Sequence, residues 1–366
     1  QQIIGDLEEA VNYVYWPNES GKTGLTTRVN KAFAYGLLAR VCLSAAGYSQ
    51  RPDEGQIGTG SVGSNRRSKL TESGQVWGDD ALYTKALDAC KEVIAKENAC
   101  VGLEGSFEEI WRDMMKREVA AGGEALFVIP FADNRGQWMN NYAIKHYTAD
   151  KYCGKANAGG TIGPVPTLYY EYDSRRDISC IPYRWNGGRQ ELENIQKWYS
   201  GKYRYEWMNE VVSGNDCGIK PIVMRYADVL LMAAEAANEL NDLPYAKTQL
   251  RKVRYRAFKS NDAVDTYLDG IASKDDMFKA IYRERMLEFS CEQIRKQDLI
   301  RWGLLKASLD DAKGKMKAML DHTTYTSELT GKTYDFSLVG SKVYYKYADD
   351  GETVQLHGLD FGEAGE

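Results

Sequence analysis

The chain alternates between stretches with a helical pattern of apolar residues and stretches that have none. From Asn30 to Ala46, apolar side chains recur every three or four residues, which predicts an amphipathic helix that ends at Gly47. Residues 47–78 are rich in Gly, Ser, Arg and Asn, and they predict a long surface loop. A second helix is expected from Asp80 to about Glu97, so these two helices could form a hairpin with an expanded connection.

The helical pattern returns in the second half of the chain. It runs from Met224 to Leu240, breaks at Asn241, and resumes at Pro244 as far as about Phe258, which predicts a helical hairpin. Further helices are expected at about 275–290 and 293–302. Large and small residues in the hairpin are spaced as in a tetratricopeptide unit, namely Leu230, Ala234, Ala237, Ala246, Leu250 and Val253. An ordinary helical bundle explains this spacing equally well.

Between these helical regions lies a segment dominated by glycine, proline and aromatic residues. Apart from a possible short strand beginning at Glu124, residues 124–217 show little periodicity and predict an irregular lobe. The helical scaffold is then assigned to about 1–123 and 218–322, within a single domain that covers residues 1–366. The predicted fold class is mainly α, with tetratricopeptide-like helical hairpins and a loop-rich aromatic lobe.

The lobe is unusually dense in aromatic rings that carry a polar group. Ten Tyr or Trp residues lie between Tyr169 and Trp207, among Arg, Asn, Gly and Gln. Flat rings can stack on the apolar faces of pyranoses while amides and guanidinium groups bond their hydroxyls, so we predict a sugar site. The candidate contacts are Tyr183, Arg184, Trp185, Asn186, Trp198, Tyr203, Tyr205 and Trp207, with a possible secondary cluster of Trp138, Asn140 and Asn141. The alternative is that these rings only pack the lobe.

Composition and motifs exclude several other functions. A net charge of -5 without any basic block argues against a nucleic-acid partner. The three histidines are far apart and the seven cysteines form no Cys-x-x-Cys pair, so no metal and no cofactor are predicted. The chain also lacks the signatures of nucleophilic catalysis. A glycoside hydrolase with two carboxylates stays open, and Glu171 and Asp173 are its best candidates.

Several segments, taken in order, resemble the SusD/RagB family of Bacteroidetes outer-membrane lipoproteins. They are Thr27-Arg-Val-Asn-Lys-Ala-Phe-Ala-Tyr-Gly-Leu-Leu-Ala-Arg-Val, Arg225-Tyr-Ala-Asp-Val-Leu-Leu-Met-Ala-Ala-Glu, Leu250-Arg-Lys-Val-Arg-Tyr-Arg-Ala, Ile281-Tyr-Arg-Glu-Arg-Met-Leu-Glu-Phe and Arg295-Lys-Gln-Asp-Leu-Ile-Arg-Trp-Gly. These motifs are typical of a scaffold, since Arg283, Glu284, Arg285 and Glu288 have spacings that allow ion pairs between neighbouring helical turns.

The resemblance implies a non-catalytic receptor that is held on the outer surface of the outer membrane by a lipid anchor outside this chain. Its partner would be a SusC-like TonB-dependent transporter, and its ligand an oligosaccharide or polysaccharide. In the RagB branch, the ligand would be a peptide. Family members usually continue beyond both ends of this chain, so part of the ligand site could lie outside it.

Overall fold

A computed structural model describes residues 2–21, 24–51, 64–66, 79–132, 135–136, 138–147, 151–152, 160–170, 172–192, 197–210, 217–258, 260–337 and 345–356. The helices are α1 Gln2–Ala10, α2 Lys31–Ala46, α3 Asp79–Ile94, α4 Phe107–Lys116, α5 Trp138–Tyr142, α6 Arg176–Ser179, α7 Tyr226–Glu239, α8 Leu243–Ala257, α9 Asn261–Asp269, α10 Lys274–Glu288, α11 Arg295–Arg301 and α12 Leu305–Leu320. Short 3₁₀ turns lie at Glu19–Gly21, Val165–Leu168 and Tyr205–Trp207.

The strands are short and pair two by two. They are β1 Ser49–Arg51, β2 Ser64–Arg66, β3 Ala125–Val128, β4 Gly160–Ile162, β5 Tyr183–Asn186, β6 Arg189–Leu192, β7 Lys197–Tyr199, β8 Ile222–Arg225, β9 Thr324–Thr326, β10 Thr333–Asp335, β11 Tyr345–Tyr347 and β12 Val354–Leu356. Every pair is antiparallel: β1 with β2, β3 with β8, β4 with β7, β5 with β6, β9 with β10, and β11 with β12. Among the described helices, none is long and apolar enough to cross a membrane.

The chain divides into two compact units. Unit 1 comprises residues 1–105, 119–128 and 222–308, and unit 2 comprises residues 106–118, 129–221 and 309–366. Unit 2 therefore overlaps the predicted lobe and adds α4 and the C-terminal part of the chain to it. This part holds strands β9 to β12, where the sequence had shown no clear pattern.

The mainly α, tetratricopeptide-like fold predicted from the sequence is confirmed. In unit 1, α2 packs on α3, α3 on α7, and α7 on α8. Asp242 begins α8 by accepting a hydrogen bond from the Tyr245 backbone, and Asn241 adopts a left-handed conformation in the turn before it. Ala234 and Ala246 are fully buried, as small residues at a close helix contact must be. The sequence did not indicate α9 or α12, and β1 and β2 lie in the stretch predicted as a loop.

Several buried charges in unit 1 pair between elements, although Arg301 also pairs with Asp298 within α11. Glu284, Arg285 and Glu288 of α10 form ion pairs with residues of other elements, while Asp275 and Lys279 pair between neighbouring turns of α10 itself. The pairs are Arg254–Glu284 at 2.6 Å, Arg285–Asp228 at 2.7 Å and Arg225–Glu288 at 2.8 Å. Because these side chains are almost completely buried, each partner is needed to offset the other's loss of hydration. The family-like motifs thus hold the helices of unit 1 together.

Candidate functional site

The aromatic rings predicted to contact sugar lie in the interior of unit 2. The buried rings are Tyr183, Trp185, Trp198, Tyr203, Tyr205 and Trp207. Tyr183 and Trp185 form one hydrophobic cluster with Ile144, Ile181 and Tyr199. Such rings have no open face on which a pyranose could stack. Their placement fits the packing alternative, and it moves the candidate surface to their outward-facing neighbours.

The predicted secondary cluster is only partly described by the structure. Trp138 is half-buried, and its ring lies 4.7 Å from that of Tyr142 and 6.3 Å from that of Tyr203, measured between centroids. It therefore contributes to the packing of unit 2 on at least one side. The side chains of Asn140 and Asn141 lie outside the described residues.

The outward-facing side chains around β5 and β6 form a continuous surface. In β5, Tyr183 and Trp185 point inward, while Arg184 is half-buried and Asn186 is exposed. The antiparallel register of β5 and β6 places Arg184 opposite Glu191 and Asn186 opposite Arg189. Because side chains alternate between the two faces of a strand, these four polar residues share one face.

A third segment extends this surface on the other side of β5. The Trp185 amide donates to the Lys145 carbonyl (2.9 Å), and the Tyr147 amide donates to the Trp185 carbonyl (3.1 Å). His146 between them is buried, so Lys145 and Tyr147 point outward, toward the side of Arg184. We call this surface the hairpin face, and its members are Lys145, Tyr147, Arg184, Asn186, Arg189 and Glu191.

Tyr147 is the exposed aromatic residue of the hairpin face, and two cations flank its ring. The Lys145 ammonium lies 4.9 Å from the ring centroid and the Arg184 guanidinium 5.2 Å from it, distances typical of cation–π contacts. The Tyr147 side chain is 37% exposed. Glu191 accepts hydrogen bonds from Arg184 (3.3 Å) and Asn186 (3.0 Å). An exposed ring beside amide, guanidinium and carboxylate groups is the chemistry that a sugar site requires.

The hairpin face rests on the buried rings. The His146 ring stacks on Trp185 at 5.9 Å, and the Tyr152 ring meets Trp185 edge-on at 4.9 Å. Nε2 of His146 lies 3.8 Å from the Glu206 carboxylate. Burial raises the pKa of Tyr183 to about 12, although nearby Arg204 opposes the shift, so Tyr183 is neutral at physiological pH. These contacts fix the backbone from which Lys145 and Tyr147 project.

Of the two carboxylates considered for hydrolysis, the structure describes Asp173 alone. Asp173 is buried, and both of its oxygens accept hydrogen bonds from Arg175, at 2.8 and 2.7 Å. A carboxylate held in this way is not placed to attack or protonate a glycosidic bond. Glu171 lies outside the described residues.

Sequence patterns did not indicate four members of the hairpin face as candidate sugar contacts: Lys145, Tyr147, Arg189 and Glu191. The alternation of aromatic and polar residues from Tyr183 to Asn186 was a usable signal, since a strand would separate its rings from Arg184 and Asn186. No comparable signal marked Lys145 and Tyr147, because their segment joins β5 from about 40 residues away along the chain.

Comparison with known proteins gives the relationships of the chain. The profile of the SusD family matches residues 182–348. A SusD-like protein of Formosa agariphila is 44% identical over 90 residues, which make up 25% of this chain and 16% of that protein. A SusD homolog from Bacteroides thetaiotaomicron has a TM-score of 0.65 at 20% identity, covering 87% of this chain and 61% of its own.

A second solved structure was determined with a ligand. It is surface glycan-binding protein A from Bacteroides thetaiotaomicron in complex with laminarihexaose, with a TM-score of 0.57 at 18% identity, covering 86% of this chain and 68% of its own. At these identities, the solved structures show a shared fold. The chain spans about three fifths of the first of them and a sixth of the Formosa protein. The SusD family match covers 167 of the 366 residues, and together with the shared fold it makes this chain similar to SusD-like proteins.

Proposed function

We propose that this protein binds glycans at the bacterial cell surface and that the hairpin face of unit 2 contacts the sugar. Proteins of the SusD family are non-catalytic binding proteins, which supports binding without turnover. The main support for this site is the exposed ring of Tyr147, which lies among polar side chains on a well-packed core. One pyranose stacks on this ring while Asn186, Arg184 and Glu191 bond its hydroxyls.

Binding can be tested with affinity electrophoresis and calorimetry. The panel includes neutral and acidic polysaccharides from plants, algae and microbes, together with peptides, and the release of reducing ends is monitored. We expect retention of at least one glycan without hydrolysis. Binding only to peptides would favour the RagB-like alternative, and release of reducing ends would contradict a non-catalytic role.

The site itself is tested with Tyr147→Ala. Loss of one stacking contact should weaken binding by about 10-fold, which corresponds to about 1.4 kcal/mol. Tyr172→Ala is the matched control, because Tyr172 is 50% exposed but does not belong to the hairpin face. Both variants should unfold at the same urea concentration as the parent protein. Equal affinity of Tyr147→Ala and the parent protein would place the site elsewhere.

We further propose that the protein is anchored to the outer membrane by lipid and delivers its glycan to a SusC-like TonB-dependent transporter. The match of residues 182–348 to the SusD family is the support for this partner. A tagged full-length protein, solubilised from outer membranes with mild detergent, should retain a TonB-dependent barrel during affinity purification. Recovery of the tagged protein without such a barrel would count against the delivery role.

A further inference from the structure

The hairpin face is positively charged, although the chain as a whole is acidic. It carries three cations, Lys145, Arg184 and Arg189, and one carboxylate, Glu191. The whole chain has a net charge of -5. A local excess of the opposite sign favours ligands that are themselves anionic.

This positive charge is concentrated around Tyr147. Lys145 makes no ion pair with any residue that the structure describes, and its ammonium group lies 4.9 Å from the Tyr147 ring centroid. Glu191 lies 3.3 Å from Arg184, and it also accepts a hydrogen bond from Asn186. Glu191 is therefore shared between Arg184 and Asn186, and Lys145 adds a second cation beside the exposed ring.

The third cation lies at the other end of the hairpin face. The Arg189 guanidinium lies 4.2 Å from the Tyr347 ring centroid, and its Nε donates to the Gly351 carbonyl. The acidic residues of this turn are occupied, since Asp350 accepts bonds from the backbone amides of Glu352 and Thr353, and the Glu352 carboxylate pairs with Lys151. Lys145 takes part in none of these contacts.

We propose that the glycan bound at the hairpin face is acidic and carries a carboxylate or sulfate group. The sugar ring stacks on Tyr147, and its anionic substituent lies between Lys145 and Arg184. Both kinds of anion accept charge-assisted hydrogen bonds from ammonium and guanidinium groups. A neutral sugar would not need the Lys145 cation, and hydroxyl groups alone would not compensate its charge. This inference rests on the proposed glycan-binding function.

The experiment compares each acidic oligosaccharide with its neutral counterpart by calorimetry. The probes are oligogalacturonate and oligoalginate with their carboxyl-reduced forms, and carrageenan oligosaccharides with their desulfated forms. We expect at least one acidic probe to bind about 10-fold more tightly than its neutral form. The probe pair that responds distinguishes carboxylate from sulfate. The affinity should also fall between 50 and 300 mM NaCl because the contact is partly exposed.

Lys145→Met tests the cation while retaining most of the aliphatic chain. It should weaken binding of the acidic probe about 5- to 10-fold and reduce the salt dependence, with little effect on the neutral form. Lys313→Met serves as the control, because the Lys313 side chain in unit 2 is 78% exposed and lies outside the hairpin face. Unchanged binding is expected for this variant.

The outcomes separate this inference from the proposed function. If neutral and acidic forms bind equally, and both lose affinity in Tyr147→Ala, the glycan site stands and its acidic specificity is overturned. If acidic probes bind Tyr147→Ala as tightly as the parent protein, the binding is simple charge attraction, and both proposals are wrong at this surface. Failure of every glycan in the panel to bind would overturn the proposed function itself.

Discussion

Replacement of Trp185 by alanine should destabilise the protein strongly, because the structure places its indole ring in the core of unit 2. The side chain is 1% exposed and packs with Ile144, Tyr183 and Tyr199. His146 and Tyr152 add ring contacts at 5.9 and 4.9 Å. Burial of a tryptophan removes about 150–250 Å² from water, which is worth roughly 4–6 kcal/mol at 25 cal/mol per Å².

The measured cost should be about 3–5 kcal/mol, as for other Trp→Ala changes in protein cores. The indole Nε1 has no hydrogen-bond partner in the part of the chain that the structure describes, so this cost comes from packing. Trp185→Phe keeps an aromatic ring without Nε1, and it should recover more than half of the loss. Tyr172→Ala removes an exposed ring and should cost less than about 0.5 kcal/mol.

Urea unfolding followed by circular dichroism and tryptophan fluorescence measures these differences. The two signals should be compared, since two compact units can unfold in separate steps. An unchanged midpoint for Trp185→Ala, together with complete loss of glycan binding, would refute the reasoning. In that case, the ring would be a ligand contact in solution and not a part of the core.

Two further predictions concern buried charge and pH. Arg225→Met should cost about 3–5 kcal/mol in urea unfolding, because it removes a cation that pairs with buried Glu124 and Glu288. Arg112→Met removes one partner of an exposed pair with Glu108 and should cost less than about 1 kcal/mol. Tyr183 ionises near pH 10 when unfolded and near pH 12 when folded, so its stabilising contribution is complete below pH 10 and is lost as pH rises toward 12. In urea unfolding at pH 9 and pH 12, Tyr183→Phe should lose about 2–3 kcal/mol less stability between the two pH values than the parent protein. An equal loss of stability in both proteins would contradict the raised pKa of Tyr183.

The helical scaffold could be predicted because each of its signals is local. The α7–α8 hairpin is marked by apolar periodicity, by Asn241 and Asp242 in the turn, and by Pro244 in the first turn of α8. Each of these signals lies within a few residues of the element that it specifies. Ion pairs such as Arg254–Glu284 are different, because their partners are 30 residues apart and come together only when the helices pack.

The aromatic density of the lobe was real, but its structural meaning depended on strand geometry. Strands of three or four residues are too short for period-2 patterns to stand out in the sequence. The rings of Tyr183 and Trp185 were taken together with Arg184 and Asn186, whereas a strand places these two pairs on opposite faces. The segment of Lys145 and Tyr147 joins them through two backbone hydrogen bonds to Trp185 that no local pattern could indicate.

The buried rings still matter for binding, because they hold the exposed one in place. Lys145 and Tyr147 belong to no helix or strand, and their segment is positioned by two hydrogen bonds to Trp185 and by the packing of His146 against its ring. Fixing the position of a contact residue beforehand lowers the conformational entropy that binding costs. Loosening this support should therefore lower affinity as well as stability.

This reasoning distinguishes two kinds of binding loss. Tyr147→Ala should lose affinity with an unchanged urea midpoint, whereas Trp185→Phe should lose affinity only in proportion to its loss of stability. Calorimetry at 10 °C and 30 °C tests the difference, because a site weakened by local opening should recover when the core is more stable. If Trp185→Phe instead binds as tightly as the parent protein at both temperatures, the hairpin face holds its shape without a full indole beneath it. Preorganisation would then come from the backbone hydrogen bonds alone.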